Sequence, residues 1–149
     1  MNKLRNDSRF ISLIHWITFV LLIFVAISGV NIFLDVDRIS IGVIIHLIIG
    51  SLIFCLTFIR VLSLRKTQIK RINNISLFHQ KIINIVHFLI YALLFIIPIT
   101  GVATLLNQGQ ISEVPLLFHQ LLFLLLCMLI VIHIVGVVKQ LLSTKALFD

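Results

Sequence analysis

Four long apolar runs, about Ile11 to Leu34, Ile39 to Leu64, Ile82 to Leu106 and Val114 to Val138, fill most of this chain. Each is long enough to cross a hydrocarbon core, which takes about 20 helical residues. Water offers no way to hide them. Of 149 residues, 60% are hydrophobic and 11% charged, and the mean hydropathy is +1.21, too little polar surface to close a soluble globule. The expected fold is all-α: an integral membrane four-helix up-and-down bundle, a single domain over residues 1–149 with no soluble catalytic module. A membrane β-barrel would show strands of about ten residues alternating apolar and polar, a pattern absent here.

The positions of Lys and Arg give the orientation. Lys3, Arg5 and Arg9 precede the first run, Arg60, Arg65, Lys66, Lys70, Arg71 and Lys81 lie at or between the second and third, and Lys139 and Lys145 follow the fourth. Only Arg38 falls on the other side, so both termini and the second connection are expected in the cytoplasm. The net charge of +7 is then an orientation signal and a contact with anionic membrane lipid, and no basic stripe interleaved with aromatics points to nucleic acid. Ala26-Ile27-Ser28 after a basic start imitates a cleavage site, but the apolar run continues to Leu34, beyond the length of a signal sequence, and a retained first helix is expected. Cys55 and Cys127 fall near mid-membrane as small apolar fillers and make no disulfide framework.

Within this setting the histidines stand out. Residues 118 to 138, FHQLLFLLLCMLIVIHIVGVV, carry no formal charge yet hold His119 and His133, fourteen residues apart. Fourteen residues turn a helix through about 1400°, within about 40° of four full turns, and advance it about 21 Å. The two rings therefore share a face at two depths. The interval recurs from His46 to Arg60, from His15 to Gly29 and from His87 to Gly101. With helices alternating in direction, these positions sort into a cytoplasmic layer of His15, Arg60, His87 and His133 and an outer layer of Gly29, His46, Gly101 and His119.

A single imidazole in a span is explained by a hydrogen bond to a neighbouring helix; five at two matched depths mark a site. Zinc would want four nitrogen or sulfur ligands, and neither cysteine lies at a histidine's depth. Proton relays pair His with a carboxylate, and none occurs within a span. Haem iron suits the pattern, because two imidazoles from facing helices close both axial positions and the porphyrin buries its flat body among Leu, Ile and Phe. Gly29, Gly50, Gly101 and Gly136 would give the macrocycle room. Arg60 would bind a haem propionate or else snorkel to the interface. The outer layer holds two imidazoles; the cytoplasmic layer offers three for two positions.

These residues resemble the bacterial cytochrome b-561 family, related to the cytochrome b subunits of Ni-hydrogenases and formate dehydrogenases. The resemblance covers nearly the whole chain. It is carried by His15-Trp16 opening the first run, His46 with Gly50 and Arg60 in the second, HFLIYALLFIIPITG from His87 to Gly101 in the third, and the His119/His133 pair in the fourth. It implies a four-helix bundle in the bacterial inner membrane that holds two b haems and passes electrons between quinone and a redox partner. By position, His46 and His119 would ligate the outer haem, and His15 and His133 the cytoplasmic one. His87 is then surplus and would bond a propionate, a quinone oxygen or a structural partner. Tyr91, one turn on, faces the same way, Pro98 would bend its helix ahead of Gly101, and Trp16 and His79 read as interfacial.

The chain departs from many relatives in its short outer connections, about Asp35 to Arg38 and Asn107 to Glu113. Some members resemble superoxide:quinone oxidoreductases. Here Asp35, Asp37 and Glu113 outweigh Arg38, so the outer face would repel an anionic substrate, which counts against that activity. Two alternatives stand beside the electron carrier: a cytochrome b anchor subunit of a dehydrogenase or hydrogenase, and a haem-free structural or transport-assisting bundle.

Overall fold

The structure is a computed structural model that describes residues 2–34, 41–66, 77–105 and 113–145. Side chains are described for 9–30, 41–64, 80–105 and 113–142. Outside lie the connections 35–40, 67–76 and 106–112, and with them the expectations that fall on Asp35, Asp37, Arg38, Lys70 and Arg71. The same holds for the side chain of His79.

Every described element is helical: α1 (Asn2–Leu34), α2 (Ile41–Lys66), α3 (Leu77–Ala103) and α4 (Glu113–Lys145). All four are long and apolar enough to span a membrane, over Arg9–Val30, Ile41–Leu64, Gln80–Ala103 and Glu113–Leu142. The helices outrun the apolar pattern at three places, one being α3, which begins at Leu77 rather than near Ile82. α1 begins at Asn2 rather than near Ile11, and α4 continues to Lys145 rather than stopping near Val138. Apolarity marks the stretch in lipid, whereas helical hydrogen bonding is internal to the segment and carries on into the flanking polar residues. α3 ends earlier than the apolar run to Leu106 suggested. Its last turn tightens, with the Thr104 N–H reaching both Thr100 O at 3.2 Å and Gly101 O at 3.3 Å, and the Leu105 N–H bonding Val102 O at 3.0 Å.

Consecutive helices pack side by side, α1 on α2, α2 on α3 and α3 on α4. They run antiparallel: Arg60, late in α2, meets His15, early in α1, and His133, late in α4, meets His87, early in α3. The bundle closes differently on its fourth side. Among the described residues no Cα of α1 comes within 8 Å of a Cα of α4, so that seam is bridged by side chains alone. Between the two histidine layers lies a core to which every helix contributes: Val25, Ile53, Leu93, Leu94, Leu126 and Leu129. Phe95 stands edge-on to Phe54, ring centres 5.2 Å apart, and joins α3 to α2 at this depth. The outward faces carry exposed Phe24, Phe88, Phe118 and Leu124, an inside-out distribution that suits lipid and not water.

The two hairpins repeat one design. His15, Ser28 and Gly29 of α1 recur 72 residues on as His87, Thr100 and Gly101 of α3, and His46 and Arg60 of α2 recur 73 residues on as His119 and His133 of α4.

Candidate functional site

The fourteen-residue spacing does bring the expected residues together at two depths. At one, His46 of α2 and His119 of α4 face each other across the interior with ring centres 6.1 Å apart. Both line a cavity of about 440 Å³, bounded by all four helices and walled by side chains such as Leu22, Gly50, Leu94 and Phe123. That volume lies within the range of about 300–1,000 Å³ typical of ligand pockets.

Neighbouring groups fix how these two rings present themselves. Ser28 Oγ spends its hydrogen on Val25 O at 2.9 Å, so its contact with His46 Nδ1, also 2.9 Å, has Nδ1–H donating to the hydroxyl oxygen. His119 Nδ1 lies 3.0 Å from Ile97 O, an atom that only accepts, and 3.2 Å from Thr100 Oγ1, whose hydrogen is likewise committed to Ile97 O. Both rings thus carry the proton on Nδ1 and leave Nε2 as a free lone pair, the form in which imidazole binds a metal. Ser28 and Thr100 were missed in the sequence. The available signal was a hydroxyl residue directly before the glycine on both odd-numbered helices.

Gly29 and Gly101 both line the cavity, and each also seats a histidine ring of the next helix. A Cβ at Gly29 would meet His46 Cε1 at 3.2 Å, and one at Gly101 would meet His119 Cε1 at 3.1 Å; each glycine is the seat of a histidine ring. Gly50 also borders the cavity, has nothing within 4 Å of a notional Cβ among the described residues, and leaves room there. Gly136 is exposed, also with nothing near it, and does not border that cavity.

At the second depth three imidazoles cluster. His15 of α1 and His133 of α4 stand with ring centres 6.4 Å apart, and His87 of α3 lies 4.8 Å from His133. His87 Nδ1 donates to Ile83 O at 2.7 Å, one turn back on its own helix. Arg60 turns inward and does not snorkel: its Nη1 bonds His15 Nδ1, and its guanidinium carbon sits 5.6 Å from the centre of the Tyr91 ring. Among the described residues its buried Nε has no partner, and neither has Thr57 Oγ1 one turn earlier on the same face of α2. An orphaned guanidinium N–H inside a membrane span calls for an acceptor from a bound group, and a propionate carboxylate has the right chemistry.

The separations test the fit to haem. A metal–nitrogen bond of about 2 Å, with the ring centre about 1 Å beyond, sets two axial rings about 6 Å apart across an iron. His46–His119 meets this in distance and in tautomer; His15–His133 meets it in distance, while the bond that His15 Nδ1 accepts from Arg60 leaves the His15 proton on Nε2; His87–His133 is too close. Among the described residues no group of three or more His, Cys, Asp or Glu is arranged to hold a bare metal ion.

Four apolar helices with imidazoles paired across the interior at this distance define a class, the membrane haem proteins of helical-bundle type. The family described as prokaryotic cytochrome b561 matches residues 7–147, and the chain belongs to that family. It is accordingly a multi-pass membrane protein of haem b electron transfer. No curated protein and no solved structure matches the chain.

Proposed function

We propose that the chain is a di-haem b electron carrier that exchanges electrons between the quinone pool and a redox partner in the bacterial inner membrane. His46 and His119 hold one haem b on the outer side, and His15 and His133 hold the other on the cytoplasmic side, both termini being cytoplasmic. The observation that carries this reading is the pair of imidazole separations, 6.1 Å and 6.4 Å, on two layers. The layers are fourteen residues apart along α4, about 21 Å.

The haem supplies reversible one-electron chemistry, and the described residues supply position and environment. Ser28 and Ile97 orient the outer pair. Arg60 offers its free Nε to a propionate, and Gly50 leaves space beside the outer site. His87, with Nδ1 committed to Ile83, presents Nε2 to a propionate or a quinone oxygen.

Reduced-minus-oxidised spectra with haem quantification on the purified protein test the proposal. Two b haems per chain are expected; one or none overturns it. A dehydrogenase subunit that co-purifies stoichiometrically would convert the carrier into a membrane anchor. Reporter fusions at the C-terminus test orientation, and activity of a periplasm-dependent reporter there would reverse it.

A further inference from the structure

We propose that Thr57 and Arg60 form a two-donor seat for one carboxylate at the second layer, so that the site there selects a tetrapyrrole by its acid group, whereas the site at His46–His119 takes an esterified one about as well. This rests on the di-haem reading above and adds to it what each site demands of its cofactor.

Thr18, Ser28, Ser63, Thr100 and Thr104 each return the hydroxyl hydrogen to a backbone carbonyl three or four residues back, the nearest acceptor for a hydroxyl in a membrane helix. Thr57 does not. It is 1% exposed, and among the described residues its Oγ1 has no partner. Three residues on, about 4.5 Å along α2, the buried Nε of Arg60 is orphaned as well, while Nη1 reaches His15 and the guanidinium lies by the Tyr91 ring. A single group that accepts from both would satisfy the pair. Nε shares its edge of the planar guanidinium with Nη2, and that edge is the side-on fork that fits a carboxylate.

Charge favours a carboxylate over a neutral acceptor. A guanidinium inside a span needs a counter-charge, and the chain supplies none at this depth. Asp7, Asp35, Asp37 and Asp149 lie outside the spans, and Glu113 opens α4 twenty residues before His133, at the opposite end.

The hairpin repeat exposes the contrast between the layers. The positions 73 residues on from Thr57 and Arg60 are Ile130 and His133, so the polar pair belongs to α2 alone. Among the described residues no Lys or Arg lines the cavity around His46 and His119, and the hydroxyl hydrogens of Ser28 and Thr100 are already committed. Nothing at that site asks for a negative charge.

The full-length chain, freed of cofactor in detergent, is reconstituted with haem b and with its dimethyl ester, and bound tetrapyrrole per chain is counted from the absorption spectrum. The diacid should fill both sites. The ester should fill one tightly, and in His119→Ala, where only the second layer remains, it should bind weakly. Thr57→Val keeps the shape and removes the hydroxyl; in the His119→Ala background it should weaken diacid binding about ten-fold, the equivalent of one charge-assisted hydrogen bond, while moving the ester by much less. Thr57→Ser should restore diacid binding, and Arg60→Gln should narrow the preference for diacid over ester. Two esters bound tightly per chain, a Thr57→Val change that moves diacid and ester alike, or a preference for diacid untouched by Arg60→Gln would overturn the proposal. Failure of the unsubstituted chain to bind two diacid haems would instead overturn the reading beneath it.

Discussion

Substituting Gly101 by alanine separates helix stability from cofactor geometry. In the middle of a helix the change stabilises by about 1 kcal/mol, because alanine restricts the unfolded backbone and shields the helical hydrogen bonds; Gly101 lies in the last turn of α3, which ends at Ala103, so the gain there is smaller. At this position the new Cβ lies 3.1 Å from His119 Cε1 and 3.3 Å from Nδ1, inside the 3.4 Å at which ordinary contact begins, so the ring must yield by about 0.3 Å. It has little freedom to do so, held by Ile97 O at 3.0 Å and Thr100 Oγ1 at 3.2 Å. Crowding of this kind costs about 1–3 kcal/mol, which offsets the gain in helix propensity. Disturbing the group that orients a metal-binding imidazole costs about 10–100-fold in affinity. The expected outcome is a protein of near-normal thermal stability in detergent that loses the outer haem about ten-fold more readily in a competition with an apo-haem acceptor. Gly136→Ala, with nothing within 4 Å, is the matched control and should keep both haems. If Gly101→Ala and Gly136→Ala retain haem equally, the seating of His119 by Gly101 is refuted.

The ligand assignments make their own predictions. His46→Ala and His119→Ala should each leave one haem per chain by quantitative spectroscopy, because the outer layer holds no third ring; retention of both breaks the pairing. His15→Ala and His133→Ala should each lose the other haem, whereas His87→Ala keeps both and shifts only the potential of the second site. Loss of a haem from His87→Ala, with two retained in His15→Ala, would reassign the inner pair. Leu129, 6% exposed in the core between the layers, should cost about 2–5 kcal/mol as Leu129→Ala, seen as a lower unfolding temperature in detergent with haem stoichiometry unchanged.

The architecture was legible because the membrane imposes it. Four runs of about 20 apolar residues admit only helices, and the fourteen-residue interval survives translation into space because it nearly completes four helical turns. Thus His15, Arg60, His87 and His133 do meet, as do Gly29, His46, Gly101 and His119. What spacing could not convey is which atom faces which. Gly29 and Gly101, read as space for a porphyrin, line the cavity and at the same time seat the imidazoles of the next helix, a contact that spacing does not convey. Arg60 was open between propionate and interface, and its inward turn onto His15 and Tyr91 depends on side-chain packing that periodicity does not encode. Ser28 and Thr100 were overlooked because a hydroxyl residue in a membrane helix commonly bonds its own backbone. These two do that as well, and only the approach of a ring from the neighbouring helix gives them a second task.

The fourth helix has a bearing on how the protein is made. Every close imidazole pair among the described residues, His46–His119, His15–His133 and His87–His133, draws one ring from α4. While a ribosome has delivered only the first three helices, none of these pairs exists, and the side of the bundle between α1 and α4 is still open to lipid. On the proposed ligand assignment, cofactor capture waits for α4, and a chain cut short before α4 by stalled synthesis or proteolysis should be left colourless, a visible check built into the order of the helices.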